Sequence, residues 1–141
     1  MERNLNKVNK RFFNIAKEIS LLSTFHRCHV GCVVVEGRQV ISTGFNSDKE
    51  NPLQERYNNY RNFDAKKYPA CVHAEVDALY SIINKRNIDW SKVSIYTYRE
   101  ANNERSCSRP CKACEKLIKD LGIKEIYYTD WNGNYCKENV L

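Results

Sequence analysis

The stretch Ser108-Arg109-Pro110-Cys111-Lys112-Ala113-Cys114 is the most informative part of the sequence. Proline suits the first turn of a helix, where its missing N–H is not needed. Leu117, Ile118 and Leu121 follow at the spacing of one helical face, and Gly122 is a typical stop signal. The pattern therefore predicts a helix whose first turn carries two cysteines facing one point.

A second motif, His73-Ala74-Glu75, begins another helical pattern of apolar residues. Zinc takes soft or borderline ligands in tetrahedral geometry, and a catalytic zinc site supplies three of them and leaves the fourth position to water. The imidazole of this motif and the sulfurs of Cys111 and Cys114 form such a set, and a helix N-terminus favours the thiolate form. We therefore predict a zinc (Zn²⁺) site made of His73, Cys111 and Cys114.

The remaining chain predicts strands and helices in alternation. Apolar periodicity indicates a helix at about residues 5–23, and a valine-rich strand at 30–35 turns back into a strand at 39–44. Residues 46–70 form a predicted long loop that can hold one helical turn. The later segments are a strand at 93–98, an irregular stretch at 100–109, a strand at 123–128, and a strand at 135–140 after the hairpin signal Asn132-Gly133.

This order predicts an α/β fold. The expected architecture is a three-layer α-β-α sandwich with a five-stranded mixed sheet, in which the last two strands form an antiparallel hairpin.

The composition indicates a compact globular protein. Of the 141 residues, 42% are hydrophobic and 28% are charged, and no low-complexity tract occurs. The longest apolar stretch, residues 32–35, is too short to span a bilayer, and the first residues lack the apolar region of a secretory signal. We therefore expect a single soluble domain, residues 1–141, in the cytoplasm and without a membrane partner.

Seven cysteines and a net charge of +6 bear on redox state and partners. An odd cysteine count without a secretory signal favours reduced thiols or metal ligands over disulfides. Basic residues are interleaved with acidic ones, so the charge does not by itself predict nucleic-acid binding.

The two motifs resemble the signature of the cytidine and deoxycytidylate deaminase superfamily, H-x-E followed by P-C-x-x-C. The resemblance covers almost the whole chain, in residues 12–16, 28, 30–35, 41–46, 73–75, 108–114 and 121–128. Residues 28–46 look most like deoxycytidylate deaminases. The resemblance implies a cytidine deaminase-like fold, zinc-dependent hydrolytic deamination of a nucleobase, and assembly as a homo-oligomer.

Glu75 is the expected proton shuttle of such a reaction. It stands two residues from the predicted histidine ligand, so its carboxylate can take a proton from the water that zinc activates without being a ligand itself. It would then return protons to the ring nitrogen and to the departing ammonia. The alternative is a first-turn glutamate that only interacts with the helix dipole.

The resemblance also implies residues that bind the substrate. Asn46 matches the family position that contacts the sugar or base, although an asparagine there could also simply accommodate a turn. The backbone around Ala74 and Arg109 is expected to contact the base edge. Cationic candidates for a substrate phosphate are Lys49, Arg56, Arg61 and Arg99, and Tyr57 or Tyr60 could stack on the base.

Two features depart from the deoxycytidylate deaminase pattern. Asn46 is followed by Ser47-Asp48-Lys49 where that family usually has a glycine and a proline-containing turn. The next loop contains no cysteine or histidine before Cys71, so neither a second zinc in that loop nor a nucleotide-triphosphate regulatory site is expected. A structural zinc at His26, Cys28, His29 and Cys32 is the weaker alternative, and Cys107 is a rival ligand for the main site.

The leading functional expectation is deamination of a free cytosine nucleotide or nucleoside, with a deoxycytidylate-like substrate. One alternative is a deaminase that acts on a base in RNA or single-stranded DNA, for which the positive charge and the aromatic loop are the motivating features. Another is a non-catalytic zinc-binding scaffold, against which the intact Glu75 argues.

Overall fold

A computed structural model describes residues 5–25, 28–60 and 71–140. The helices are α1 (Lys7–Ser20), α2 (Pro52–Tyr57), α3 (Ala74–Tyr80) and α4 (Lys112–Leu121). The strands are β1 (Cys28–Glu36), β2 (Gln39–Phe45), β3 (Val93–Ala101), β4 (Glu104–Ser106), β5 (Glu125–Thr129) and β6 (Tyr135–Asn139). Within these residues, no helix is long and apolar enough to cross a membrane.

The strands form one mixed sheet in the order β2-β1-β3-β5-β6, with β4 added at the end of β3. Strands β3 and β5 are parallel, and the other neighbouring pairs are antiparallel. The predicted α/β class, the mixed sheet and the antiparallel hairpin β5–β6 are confirmed, although β4 raises the strand count from five to six.

Each face of the sheet has its own hydrophobic core. The α1 face is aromatic, and Phe13 stacks on Tyr135 with 4.1 Å between ring centroids while Tyr96 stacks on Tyr127 at 4.2 Å. The opposite face is mainly aliphatic, and its residues, such as Val34, are buried under α3 and α4. Because both faces are covered, the valine-rich β1 is buried over most of its length.

Two glycines let helices lie directly on the sheet. A Cβ at Gly44 would collide with the backbone of Ala74 and Ala78 in α3, and a Cβ at Gly31 would collide with the backbone of Ala16 in α1. The Phe45 N–H also donates to Asp77 Oδ2 at 3.1 Å. The first turn of α3 is therefore fixed against the end of β2.

The prediction that residues 100–109 are irregular is wrong for half of that segment. Strand β3 continues to Ala101, and β4 returns beside it with Arg99 opposite Ser106. Asn102 and Asn103 make the turn with φ of 55° and 65°. Two successive residues with positive φ are typical of a tight hairpin turn, and asparagine adopts that conformation more readily than most residues.

The predicted loop at 46–70 contains α2 and a single 3₁₀ turn, Asn58–Tyr60, in its described part. Asn51 caps α2 by accepting hydrogen bonds from the N–H groups of Leu53 and Gln54. The expected helical turn is therefore present. Residues 61–70, with the phosphate candidate Arg61, lie outside the described residues.

The stop signal at Gly122 and the hairpin signal at Asn132-Gly133 predicted the right structures. Gly122 caps α4 in the left-handed conformation with φ of 92°. Residues 130–134 connect β5 to β6, which is longer than a two-residue turn. Within this connection, Asp130 Oδ1 accepts hydrogen bonds from the N–H groups of Asn132 and Asn134.

Candidate metal centre and its cavity

Two helix N-termini bring three donor side chains together. His73 is the N-cap residue of α3, Cys111 is the N-cap residue of α4, and Cys114 lies in the first turn of α4. Their ligand atoms all lie within 4.8 Å of one another. The His73 Nδ1 atom is 3.3 Å from the Cys114 sulfur and 3.6 Å from the Cys111 sulfur.

The donor set suits zinc. Zinc–nitrogen and zinc–sulfur bond lengths in a tetrahedron place a nitrogen and a sulfur ligand about 3.5 Å apart. The two nitrogen–sulfur distances of 3.3 and 3.6 Å bracket that value. One imidazole and two thiols also leave one position of a tetrahedron for a small ligand, which is the arrangement of a catalytic rather than a structural zinc site.

A buried polar network holds the N-terminal end of α4 between β3 and β5. The Ser108 hydroxyl accepts a hydrogen bond from the Thr129 N–H at 2.7 Å and donates to the Thr97 carbonyl at 2.9 Å. The Thr97 hydroxyl donates to the Ser108 carbonyl at 2.8 Å. Because these groups are buried and mutually satisfied, they fix the chain three residues before Cys111.

Gln54 positions the histidine, and the sequence analysis missed it. Its side chain is almost fully buried, and its Oε1 atom accepts a hydrogen bond from the His73 N–H at 2.9 Å. The Nε2 group donates to Asn58 Oδ1. Asn51-Pro52, an N-cap residue followed by a proline at the first helical position, was the available signal for α2.

The two thiols share their protons unequally. A hydrogen bond from Cys114 lowers the pKa of Cys111 to about 3, with burial opposing the shift and His73 adding to it. The same hydrogen bond and burial raise the pKa of Cys114. The lowered pKa favours the thiolate form of Cys111, and a divalent cation would favour the second thiolate as well.

Glu75 follows the donors in the first turn of α3 and is 5% exposed. Burial raises the pKa of its carboxyl, while the nearby His73 partly offsets the rise. A carboxyl whose pKa is raised toward neutrality accepts and returns protons readily. Cys32 lies on the sheet near this carboxylate, and burial together with the charges of Glu75 and Asp77 raises its pKa, so it is a neutral thiol.

The donors open onto a cavity of about 360 Å³, which is in the range of small-ligand sites. One part of its lining, the metal side, consists of His73, Glu75 and Cys111, with Cys114 buried behind them. Another part, the arginine side, consists of Cys28, Val30, Arg99 and Cys107. The predicted substrate-binding residues Asn46, Ala74 and Arg109 also line the cavity, and so does Phe25, which the sequence analysis did not single out.

The Asn46 side chain is anchored to β1. Its Oδ1 atom accepts a hydrogen bond from the Val30 N–H at 2.9 Å, and its Nδ2 group donates to the Cys28 carbonyl at 3.1 Å. An amide has two lone pairs on oxygen and two N–H groups. One oxygen lone pair and one N–H group of Asn46 are therefore left for a molecule in the cavity.

The Arg109 guanidinium is neutralised by two carboxylates. It forms ion pairs with Glu138 at 2.7 Å and Glu115 at 3.2 Å, and its pKa is raised mainly by the hydrogen bond to Glu138. Its charge is thus already compensated, and a contact with a substrate would come from its backbone, as the resemblance implied.

The structure bears on the other hypotheses about the cysteines. None of the seven cysteines is in a disulfide. Cys28 and Cys32 project from the same face of β1, whereas His29 projects from the face covered by α1. His26, the fourth residue of the possible second zinc site, lies outside the described residues. Among the described residues, the metal-type cluster consists of His73, Cys111 and Cys114, so it includes neither these groups nor Cys107.

The tyrosines expected to stack on a base have other partners. The Tyr57 hydroxyl donates to Asp120 in α4 at 2.7 Å, and the Lys116 ammonium lies 5.5 Å from the Tyr60 ring centre. Neither tyrosine lines the cavity, so the stacking hypothesis is not supported.

Residues 6–130 match the family model described as the cytidine and deoxycytidylate deaminase zinc-binding region. A Caenorhabditis elegans protein named probable deoxycytidylate deaminase is 28% identical over 137 residues, which cover 88% of this chain and 58% of that protein. The deoxycytidylate deaminase of Pongo abelii is 30% identical over 103 residues, covering 69% and 49%. The chain thus spans about half the length of these relatives.

A solved structure has the same fold. The dCMP deaminase from the cyanophage S-TIM5, in apo form, superposes with a TM-score of 0.63 at 22% identity, covering 90% of this chain and 86% of that chain. Since the family match spans most of the sequence and includes both helix N-termini that carry the donors, this chain belongs to the cytidine and deoxycytidylate deaminase family.

Proposed function

We propose that this chain is a hydrolytic deaminase of a free cytosine nucleotide or nucleoside, with a deoxycytidylate-like substrate. The observation that carries the proposal is the convergence of one imidazole, two sulfurs and a buried carboxyl on one cavity. The names of the relatives, which are deoxycytidylate deaminases, support the substrate class. The products would be the corresponding uracil compound and ammonia.

In this proposal the metal is held by His73 Nδ1 and the sulfurs of Cys111 and Cys114. When bound, zinc lowers the pKa of a water molecule toward neutrality and so supplies the nucleophile. Because the pKa of Cys111 is lowered and that of Cys114 is raised, the Cys111 thiolate forms more readily, and a bound cation would favour deprotonation of Cys114 as well.

Glu75 moves the protons of the reaction. Its carboxylate accepts a proton from the attacking water, delivers it to the ring nitrogen, and carries the second proton of the water to the departing amine. The oxygen remains on the ring carbon, and the amine leaves as ammonia. Burial raises the pKa of this carboxyl and makes the return of each proton easier.

Four residues complete the proposed substrate site. The free N–H and lone pair of Asn46 are offered to the sugar or base, and the backbone at Ala74 and Arg109 is offered to the base edge. Phe25 lines the same cavity and provides an apolar aromatic surface.

A substrate panel tests the proposal. Zinc-loaded protein is incubated with deoxycytidylate, cytidylate, cytidine, cytosine, guanine and tRNA, and the ammonia released is measured. We expect turnover of a free cytosine nucleotide or nucleoside and none with Glu75→Ala. Turnover of tRNA alone would favour the nucleic-acid alternative, and zinc without activity in either protein would favour the scaffold.

Assembly as a homo-oligomer and a cytoplasmic location stay predictions. Sedimentation velocity of the purified chain checks the first, since a single monomeric species across the accessible concentrations would contradict it.

A further inference from the structure

One basic residue of the cavity has an incomplete set of partners. Of the phosphate candidates within the described residues, Lys49 and Arg56 do not line the cavity, whereas Arg99 does. The Nε group of Arg99 is buried and has no hydrogen-bond partner among the described residues. Its Nη1 group makes one long hydrogen bond, 3.4 Å to the Cys107 carbonyl.

The sheet explains why this arginine points into the cavity. Arg99 lies directly opposite Val30 of β1 and opposite Ser106 of β4, and paired residues of antiparallel strands project to the same face. Val30 is also part of the cavity lining. The guanidinium is thus carried by the central strand and flanked on both sides.

A second unsatisfied group lies beside the first. The Ser106 hydroxyl is buried and likewise has no partner among the described residues. Buried polar groups are normally hydrogen-bonded, and Arg99 lines the cavity, so its unpartnered nitrogen indicates a ligand there. Ser106 lies next to Arg99 on the same sheet face, just outside the residues that line the cavity. A cation and a hydroxyl together suit an anion with several acceptor oxygens, and a phosphate meets this requirement through charge-assisted hydrogen bonds.

The position relative to Asn46 indicates which phosphate. The Asn46 side chain is bonded to the Val30 N–H, and Val30 is the cross-strand neighbour of Arg99. A nucleotide with its base at Glu75 and its sugar at Asn46 would therefore carry its phosphate toward Arg99. The ion-paired Arg109 lines the same cavity, but its charge is already compensated.

We propose that Arg99, assisted by Ser106, binds the 5′-phosphate of a free cytosine nucleotide and makes the cavity selective for the nucleotide over the nucleoside. The inference rests on the proposed function for the identity of the cavity, and it adds the residue that recognises the phosphate. Arg99 would be a specificity-determining residue with no part in the proton transfers.

Binding of the reaction products tests this without requiring turnover. Calorimetry measures the affinity of zinc-loaded protein for deoxyuridylate and for deoxyuridine, in the native chain and in Arg99→Gln. Loss of charge-assisted hydrogen bonds should weaken deoxyuridylate binding roughly 10- to 100-fold. Deoxyuridine affinity should change less than about threefold, since it lacks the phosphate.

Matched variants separate recognition from folding. Arg99→Lys should restore part of the nucleotide affinity, Ser106→Ala should cause a smaller loss, and Arg38→Gln on the exposed β1–β2 turn should change nothing. If Arg99→Gln is unfolded by circular dichroism, Arg99→Lys and Ser106→Ala carry the test. Equal loss for both ligands, unchanged nucleotide affinity, or no deoxyuridylate binding by the native chain would each overturn the proposal.

A polynucleotide backbone is the rival source of phosphate. A short single-stranded oligodeoxycytidylate that depends on Arg99 while deoxyuridylate does not bind would also overturn the assignment to a free nucleotide. Normal deoxyuridylate binding without any deamination would instead refute the proposed function and leave the phosphate site standing.

Discussion

The metal side and the arginine side of the cavity differ in how their polar groups are partnered. On the metal side, His73, Cys111 and Cys114 lie within hydrogen-bonding distance of one another, and Gln54 holds the histidine backbone. On the arginine side, a buried guanidinium nitrogen has no partner among the described residues. The first arrangement is complete without a ligand, whereas we propose that the second is completed by one.

The difference implies a division of labour. Preorganised groups act on the reacting atoms of every substrate that reaches them, whereas an unsatisfied cation discriminates between ligands that do and do not supply an anion. Changes on the metal side should therefore affect nucleotide and nucleoside alike, and changes on the arginine side should affect the nucleotide selectively.

The largest effect is expected from removing a donor. In Cys114→Ala the zinc content should fall from about one ion per chain to near zero, because two ligands hold zinc far less tightly than three. Deamination of deoxycytidylate and of deoxycytidine should be lost together. Metal analysis after dialysis is the measurement, with Cys136→Ala in β6 as the matched control. Full zinc occupancy in Cys114→Ala would contradict the assignment.

The next effect separates chemistry from metal binding. Glu75→Gln keeps the shape of the side chain and removes its basicity, so zinc should be retained while kcat falls by roughly 10²- to 10⁴-fold. The fall should be the same for nucleotide and nucleoside. Glu104→Gln, in the exposed hairpin, is the control. A variant that keeps its kcat, or that loses zinc, would refute the role of the carboxylate.

A smaller effect concerns the segment around Ser108, which leads into α4. Ser108→Ala leaves the buried Thr129 N–H without its acceptor, and we expect the free energy of unfolding to fall by about 1–3 kcal/mol. Chemical denaturation measures it, and the exposed Ser91→Ala should stay within about 0.5 kcal/mol of native. Equal stability of the two variants would show that the network does not hold this segment.

The smallest effect is expected from breaking the ion pair between Arg109 and Glu138. Arg109 lowers the pKa of Glu138 below its usual value, so the pair stabilises the fold above the unfolded pKa and this contribution is lost as pH falls through the folded pKa. Because the pair is about one-third exposed, Glu138→Gln should cost at most about 1 kcal/mol at pH 7. Urea denaturation should show that the difference from native disappears once the pH has fallen below the folded pKa of Glu138. A difference that persists there would contradict the ion-pair account.

The metal side of the cavity could be predicted from the sequence, whereas the arginine side could not. The donors were predictable because residue type and spacing at two helix starts determine which side chains converge. The incomplete partners of Arg99 were not, since burial and cross-strand neighbours exist only in the folded sheet. The hairpin Asn102-Asn103 that places β4 carried a turn signal, but without glycine it was too weak to predict a strand.

The fold itself followed from local patterns more than the site did. The valine-rich hairpin and helices α1, α3 and α4 were predicted correctly because hydrophobic periodicity and turn residues are local signals. Gln54 was missed because a buried glutamine in a polar stretch has no periodicity to mark it, although Asn51-Pro52 signalled the helix that carries it.

X-ray absorption at the zinc edge of the zinc-loaded chain tests the central claim most directly. The account predicts two sulfur atoms at about 2.3 Å and two nitrogen or oxygen atoms at about 2.0–2.1 Å, one of them from solvent. A shell of four sulfurs, or one without sulfur, would contradict it.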